Sequence, residues 1–125
     1  MGAIVTKTIP ICALLLLTLP GVPASAAELK DLIGKWRWQQ STIEVSECQR
    51  DGICAKVVAG PKNVGMELLA SKLIAKDGNL VGQIVHPETK DIYNTRFQQK
   101  DKDAWRLDGC TASRVCLSGE FARVK

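Results

Sequence analysis

Apolar and polar residues alternate over short stretches of this chain, and most stretches stop at glycine, proline or a run of charge. Ile92 to Gln99 is the cleanest case. Tyr93, Thr95 and Phe97 fall on one face and Asn94, Arg96 and Gln98 on the other. That period of two is the signature of a strand with one buried side. Lys35 to Val45 reads as extended, being rich in Trp, Thr, Ile and Val. Trp36 and Trp38 share a face, whereas Ile43 and Val45 have the opposite parity, which predicts a bend or bulge between Gln39 and Thr42. Asp51-Gly52 is a hairpin signal leading into a strand over Ile53 to Ala59, stopped by Gly60-Pro61. Met66 to Ala75 has helical propensity, yet Asp77-Gly78-Asn79 turns directly into Leu80 to Val85. It is read as a strand because its neighbours are strands. His86 to Asp91 is a loop, and Ala104 to Gly109 and Val115 to Val124 close the chain. Ala27 to Ile33 forms one short helical turn ahead of Gly34.

Such a series of about seven or eight short strands with turns between them predicts an all-β fold, an antiparallel meander built as a sandwich or a small β-barrel. The barrel is preferred because closure removes exposed strand edges. Residues 27–125 form its single domain.

The first 26 residues are of another kind. Lys7 precedes an apolar run from Ile9 to Leu19, Pro20, Gly21 and Pro23 break it, and Ala24-Ser25-Ala26 matches an A-x-A cleavage site. This is a secretory signal peptide with a signal helix, too short in its apolar run to span a bilayer. The expected location is therefore the periplasm or the exterior. Cys12 lies before the main apolar run, so no lipid anchor is expected. The net charge of +4 falls by one with Lys7. The basic residues are scattered without interleaved aromatics, which argues against a nucleic-acid partner.

Export decides how the remaining cysteines are read. Cys48, Cys54, Cys110 and Cys116 are an even set in a short exported chain, where disulfides are the rule. Each close pair brackets a turn-like stretch, so the pairing expected is Cys48–Cys54 and Cys110–Cys116. Their spacing is wider than the two to four residues usual between zinc cysteines.

Candidate chemistry is sparse. His86 is the single histidine and, beside Pro87, reads as a surface residue. Glu44 and Glu47 near Cys48 read as solvated acids. There is no nucleophile elbow, phosphate loop or metalloprotease motif. The expectation is a protein without enzymatic activity, metal or cofactor. Trp36, Trp38 and Trp105, with Tyr93, Phe97 and Phe121, are candidates to pack a barrel end or to line a ligand site. Arg123 shares its parity with Leu117 and Phe121, so it points inward and needs a partner. Trp36 is that partner, by cation–π contact, if the first and last strands are neighbours.

Gly34-Lys35-Trp36 opening the first strand, with an arginine late in the last, resembles the lipocalin-type arrangement. The segments Ile43 to Val58 and Asp77 to Tyr93 narrow the likeness. Cys48-x5-Cys54-x-x-Val57-Val58 and Gly82-x-Ile84-x-x-Pro87 with Tyr93 resemble the bacterial secreted domain-of-unknown-function family 2147. The chain departs from that pattern in the short Gly60–Gly65 connection and in Phe121-Ala122-Arg123 where the family often has Trp-x-Arg. The resemblance implies a calycin-like barrel of the Gram-negative periplasm, with no established activity. The leading expectation is a module binding a small hydrophobic ligand. The alternative is a protein-interaction module, such as a periplasmic protease inhibitor acting through Ala27 to Asp31, or an envelope accessory factor.

Overall fold

In Ile92–Asp101 the expected alternation is fully expressed: Tyr93, Thr95 and Phe97 are buried, while Ile92, Asn94, Arg96 and Gln98 are exposed. The computed structural model describes residues 27–49 and 52–125; the expected signal segment, 1–26, lies outside the described residues. A short 3₁₀ helix, η1 (Leu29–Leu32), precedes eight strands: β1 (Gly34–Trp38), β2 (Ser41–Gln49), β3 (Gly52–Ala59), β4 (Ile74–Lys76), β5 (Asn79–Val85), β6 (Ile92–Asp101), β7 (Ala104–Cys110) and β8 (Cys116–Arg123).

These strands make one antiparallel sheet in the order β3-β2-β1-β8-β7-β6-β5-β4. Every neighbouring pair is consecutive in sequence except β1 with β8, which meet through Trp36↔Arg123 and Arg37↔Ala122. The flanks of this curled sheet are drawn together by Met66 to Ala70. That segment bonds β3 on one side, with Leu68 N–H donating to Ala55 O at 2.6 Å and Val57 N–H to Met66 O at 2.9 Å. On its other side it bonds β5, with Val85 N–H donating to Leu68 O at 2.7 Å and Ala70 N–H to Gln83 O at 2.8 Å. The enclosed core takes side chains from every strand except β4, with Trp36, Trp38, Trp105, Phe97 and Phe121 the largest.

Three expectations are corrected. The parity change after Trp38 is a hairpin between two strands and not a bend or bulge within one. Gln39 and Gln40 form the turn, Gln39 adopts φ 55°, and Trp38 pairs with Ser41 and Trp36 with Ile43. A two-residue turn carries even positions before it and odd positions after it to the same face. Met66 to Ala75 is not one strand. Only Ile74–Lys76 is regular, while Glu67 and Leu69 make single bridges to Lys56 and Ile84. The chain there serves two partners in succession, so no single alternation can hold. His86 is not a surface residue; it is 8% exposed.

Turns in a meander fall alternately at two ends. The Cys48–Cys54 disulfide joins β2 to β3 at the end that carries η1 and Arg123. Cys110–Cys116 joins β7 to β8 at the opposite end, beside the His86 loop. Both local pairings expected from the spacing are thus present.

Candidate functional site

Arg123 organises one end. Its guanidinium lies 4.2 Å from the Trp36 ring centroid. Its Nη1 donates to Ile33 O at 3.1 Å, its Nη2 to Lys102 O at 2.8 Å, and its Nε to Asp103 Oδ1 at 3.0 Å. One side chain therefore ties η1, β8 and the β6–β7 turn together. Trp36 Nε1 donates to Leu32 O at 2.7 Å and fixes the same helix from below. Gly34, at φ 136°, is required here, because a side chain would run into the Arg123 guanidinium. The Asp103 carboxyl is held below its ordinary range, first by its hydrogen bond with Lys125 and then by the positive charges of Lys125, Lys102 and Arg123.

The aromatic residues are brought together around Phe121. Its ring centroid lies 6.5 Å from Trp36, 5.5 Å from Trp38 and 5.4 Å from Phe97, the last edge-on. Trp105 pairs with Phe121 in strand register and is fully buried. Tyr93 stands apart at the other end, where His86 lies between it (6.0 Å) and Trp38 (5.3 Å). The His86 Nδ1 accepts from the Glu88 N–H at 3.1 Å, which leaves Nε2 to donate to Gln39 Oε1 at 3.2 Å. This ring holds the 86–91 loop to the β1–β2 turn.

These side chains leave almost no room inside. The enclosed void, bordered by Leu32, Val45, Phe97 and Phe121 among others, measures about 10 Å³ and is wholly apolar. No organic ligand fits there. Open space lies instead at the surface: a cleft of about 650 Å³ at the Arg123 end, and a shallower one of about 690 Å³ over β5–β7, bordered by the polar side chains of Gln83, Asn94, Arg96 and Asp108. One wall of the cleft at the Arg123 end is the β2–β3 hairpin, with Glu47, Gly52 and Ile53. The other is Lys72 to Ala75, and Leu80 and the η1 residues Leu29 and Lys30 line the remainder. None of the expected aromatic site residues lines it. The sequence signal was the loss of alternation from Met66 to Ala75, which marks where strand pairing fails.

Among the described residues no group of His, Cys, Asp or Glu is arranged to hold a metal, and no helix is long and apolar enough to cross a membrane. Glu44 and Glu47 are exposed on β2. The two disulfides fit a protein of an oxidising, extracytoplasmic compartment.

In comparison with solved structures, a redesigned β-barrel superposes with a TM-score of 0.57 at 15% identity, over 84% of this chain and 100% of that one. The likeness shows a β-barrel type of fold. No family model matches the chain, and no curated protein does.

Proposed function

We propose that this protein is an exported, non-enzymatic binding module whose site is the end cleft and not the barrel interior. Two observations together carry the reading: the interior holds about 10 Å³ against about 650 Å³ in this cleft, and this cleft is lined mainly by apolar side chains, whereas the other open cleft, over β5–β7, is lined mainly by polar ones. Small-molecule sites usually span about 300–1,000 Å³ and are mostly apolar with a few polar groups. The cleft has that make-up, with Leu29, Ile33, Ile53, Leu73 and Leu80 around Lys30, Glu47 and Lys72. The location in the periplasm rests on the A-x-A signal pattern and the two disulfides, and a calycin-like ancestry rests on the Gly34-x-Trp36 and Arg123 arrangement.

The protease-inhibitor alternative needs Ala27 to Asp31 to project from the body. In the structure Ala27 is buried, its N–H donates to Gly78 O at 3.2 Å, and Arg123 Nη2 reaches Asp31 O at 3.4 Å. A segment fastened in this way does not favour insertion into a protease cleft.

The test is titration with the apolar fluorophore N-phenyl-1-naphthylamine. Wild-type protein should enhance its emission, and Ala75→Trp, which fills the cleft from an exposed position, should weaken binding at least about tenfold by loss of buried apolar area. No enhancement, or equal binding by the variant with an unchanged melting temperature, would overturn the cleft as the site.

A further inference from the structure

The walls of the cleft are strand edges, and this decides the shape of ligand it takes. On β3, Ala55 and Val57 direct their backbone groups away from β2, as their bonds to Leu68, Met66 and Gly65 show. Ile53, two residues earlier, has the same orientation by the period of the strand, and it lines the cleft. On the facing wall, β4 pairs with β5 through Ile74↔Val81, Ala75↔Leu80 and Lys76↔Asn79. Asp77 and Gly78 form a two-residue turn with positive φ at both. The pair beside such a turn is the hydrogen-bonded kind, so Ala75 turns its N–H and C=O away from β5 and into the cleft. Among the described residues no backbone bond joins β4 to β3.

The molecule itself shows what occupies the space between these flanks. Toward the His86 end, Met66 to Ala70 runs between β3 and β5 as an extended segment bonded on both sides. After Ala70 the chain crosses Gly82, where any side chain would meet Leu73, the Lys72 carbonyl and the Ser71 hydroxyl. Beyond that crossing the chain pairs with β5 alone. Among the described residues the ladder on β3 stops at Ala55, and none of them continues it alongside Ile53.

Resting on the reading of the cleft as the binding site, we infer that its ligand is an extended peptide segment of a partner protein, added as a strand between β3 and β4. Main-chain bonds to Ile53 and Ala75 would supply affinity, and alternate apolar side chains would meet Leu29, Leu73 and Leu80. Strand addition of this kind draws affinity from the backbone and specificity from alternate side chains. It also covers edges that a β protein otherwise leaves open to unwanted pairing.

The decisive variant is Ala75→Pro. It removes an N–H that β5 does not use, at an exposed edge position where proline is tolerated. The probe is a labelled, lysine-tipped peptide alternating valine and threonine, about seven residues long. N-phenyl-1-naphthylamine is titrated in parallel, and melting temperature reports the fold. The inference predicts that wild-type protein binds the peptide, and that Ala75→Pro, at an unchanged melting temperature, weakens peptide binding at least tenfold and far more than it weakens fluorophore binding. Ala75→Val, which keeps the N–H, should retain peptide binding. Fluorophore binding without peptide binding would overturn the strand-addition inference and leave the cleft reading standing. Binding of neither would overturn both. Equal loss of both probes in Ala75→Pro, or a concentration-dependent dimer abolished by it in place of peptide binding, would also overturn the inference.

Discussion

Arg123 shows how much one side chain holds in this small protein. Arg123→Ala removes a cation–π contact and several charge-assisted bonds, and should lower stability by about 2–3 kcal/mol in urea unfolding. Arg123→Lys keeps the charge but loses the planar fork, and should recover less than half of that. Gly34→Ala should be destabilising on two counts, backbone strain and collision with the guanidinium. In an Arg123→Ala background only the strain remains, so the double variant should cost less than the two singles added. Asp108 tests the electrostatics. Its carboxyl is held below the ordinary value of 3.8 by hydrogen bonds with Arg106 and then Ser118. A lowered carboxylate stabilises the fold above the unfolded value and loses that contribution as pH falls through the folded one. Asp108→Asn should therefore cost less than about 1 kcal/mol at neutral pH, given the exposure of the pair, and the difference from wild type should vanish in strong acid. At this scale the inward Arg123 was legible from the parity of β8. The burial of His86 was not, because its partners, Gln39 and the N–H of Glu88, are brought in by a loop conformation that no periodicity encodes.

At the level of elements, the two disulfides each close a hairpin of the same sequence separation, 6 residues. The chain-entropy estimate gives about 2 kcal/mol for each. They stand at opposite ends, so replacing Cys48 and Cys54 by Ser, and Cys110 and Cys116 by Ser, should give losses that add within about 0.5 kcal/mol in urea unfolding. Strong departure from additivity would show that the ends communicate. β6, which alternates cleanly, was the most legible strand, because it buries one face against the core and turns the other to solvent. The β1–β2 hairpin was not legible as a turn and read as a bend or bulge, since Gln39-Gln40 carries no glycine or asparagine to announce a left-handed turn. Met66 to Ala75 was illegible for a deeper reason. Its residues satisfy β3, then β5, and then leave the cleft open, so its pattern reflects neighbours far away in sequence.

For the whole molecule, the all-β class and the meander were legible in the order of strands and turns, but the balance of space between interior and cleft was not. Trp36, Trp38, Trp105, Phe97 and Phe121 are bulky enough to fill so narrow a sheet, yet their mutual packing follows from three-dimensional register. The thin contact between β1 and β8 has a consequence in time. Each hairpin disulfide links residues close in sequence and can form as soon as its own strands exist. The Trp36–Arg123 contact, by contrast, joins the first strand to the last, and it carries the heaviest loop-closure entropy in the fold. In a chain made from its N-terminus, the Cys48–Cys54 hairpin can form early, and the contact of the first strand with the last comes at the end. A version ending before Arg123 should keep its Cys48–Cys54 bond by mass spectrometry while lacking the cooperative melt of the full chain. The last few residues thus act as the latch of the molecule, and proteolysis there would release the architecture from its seam.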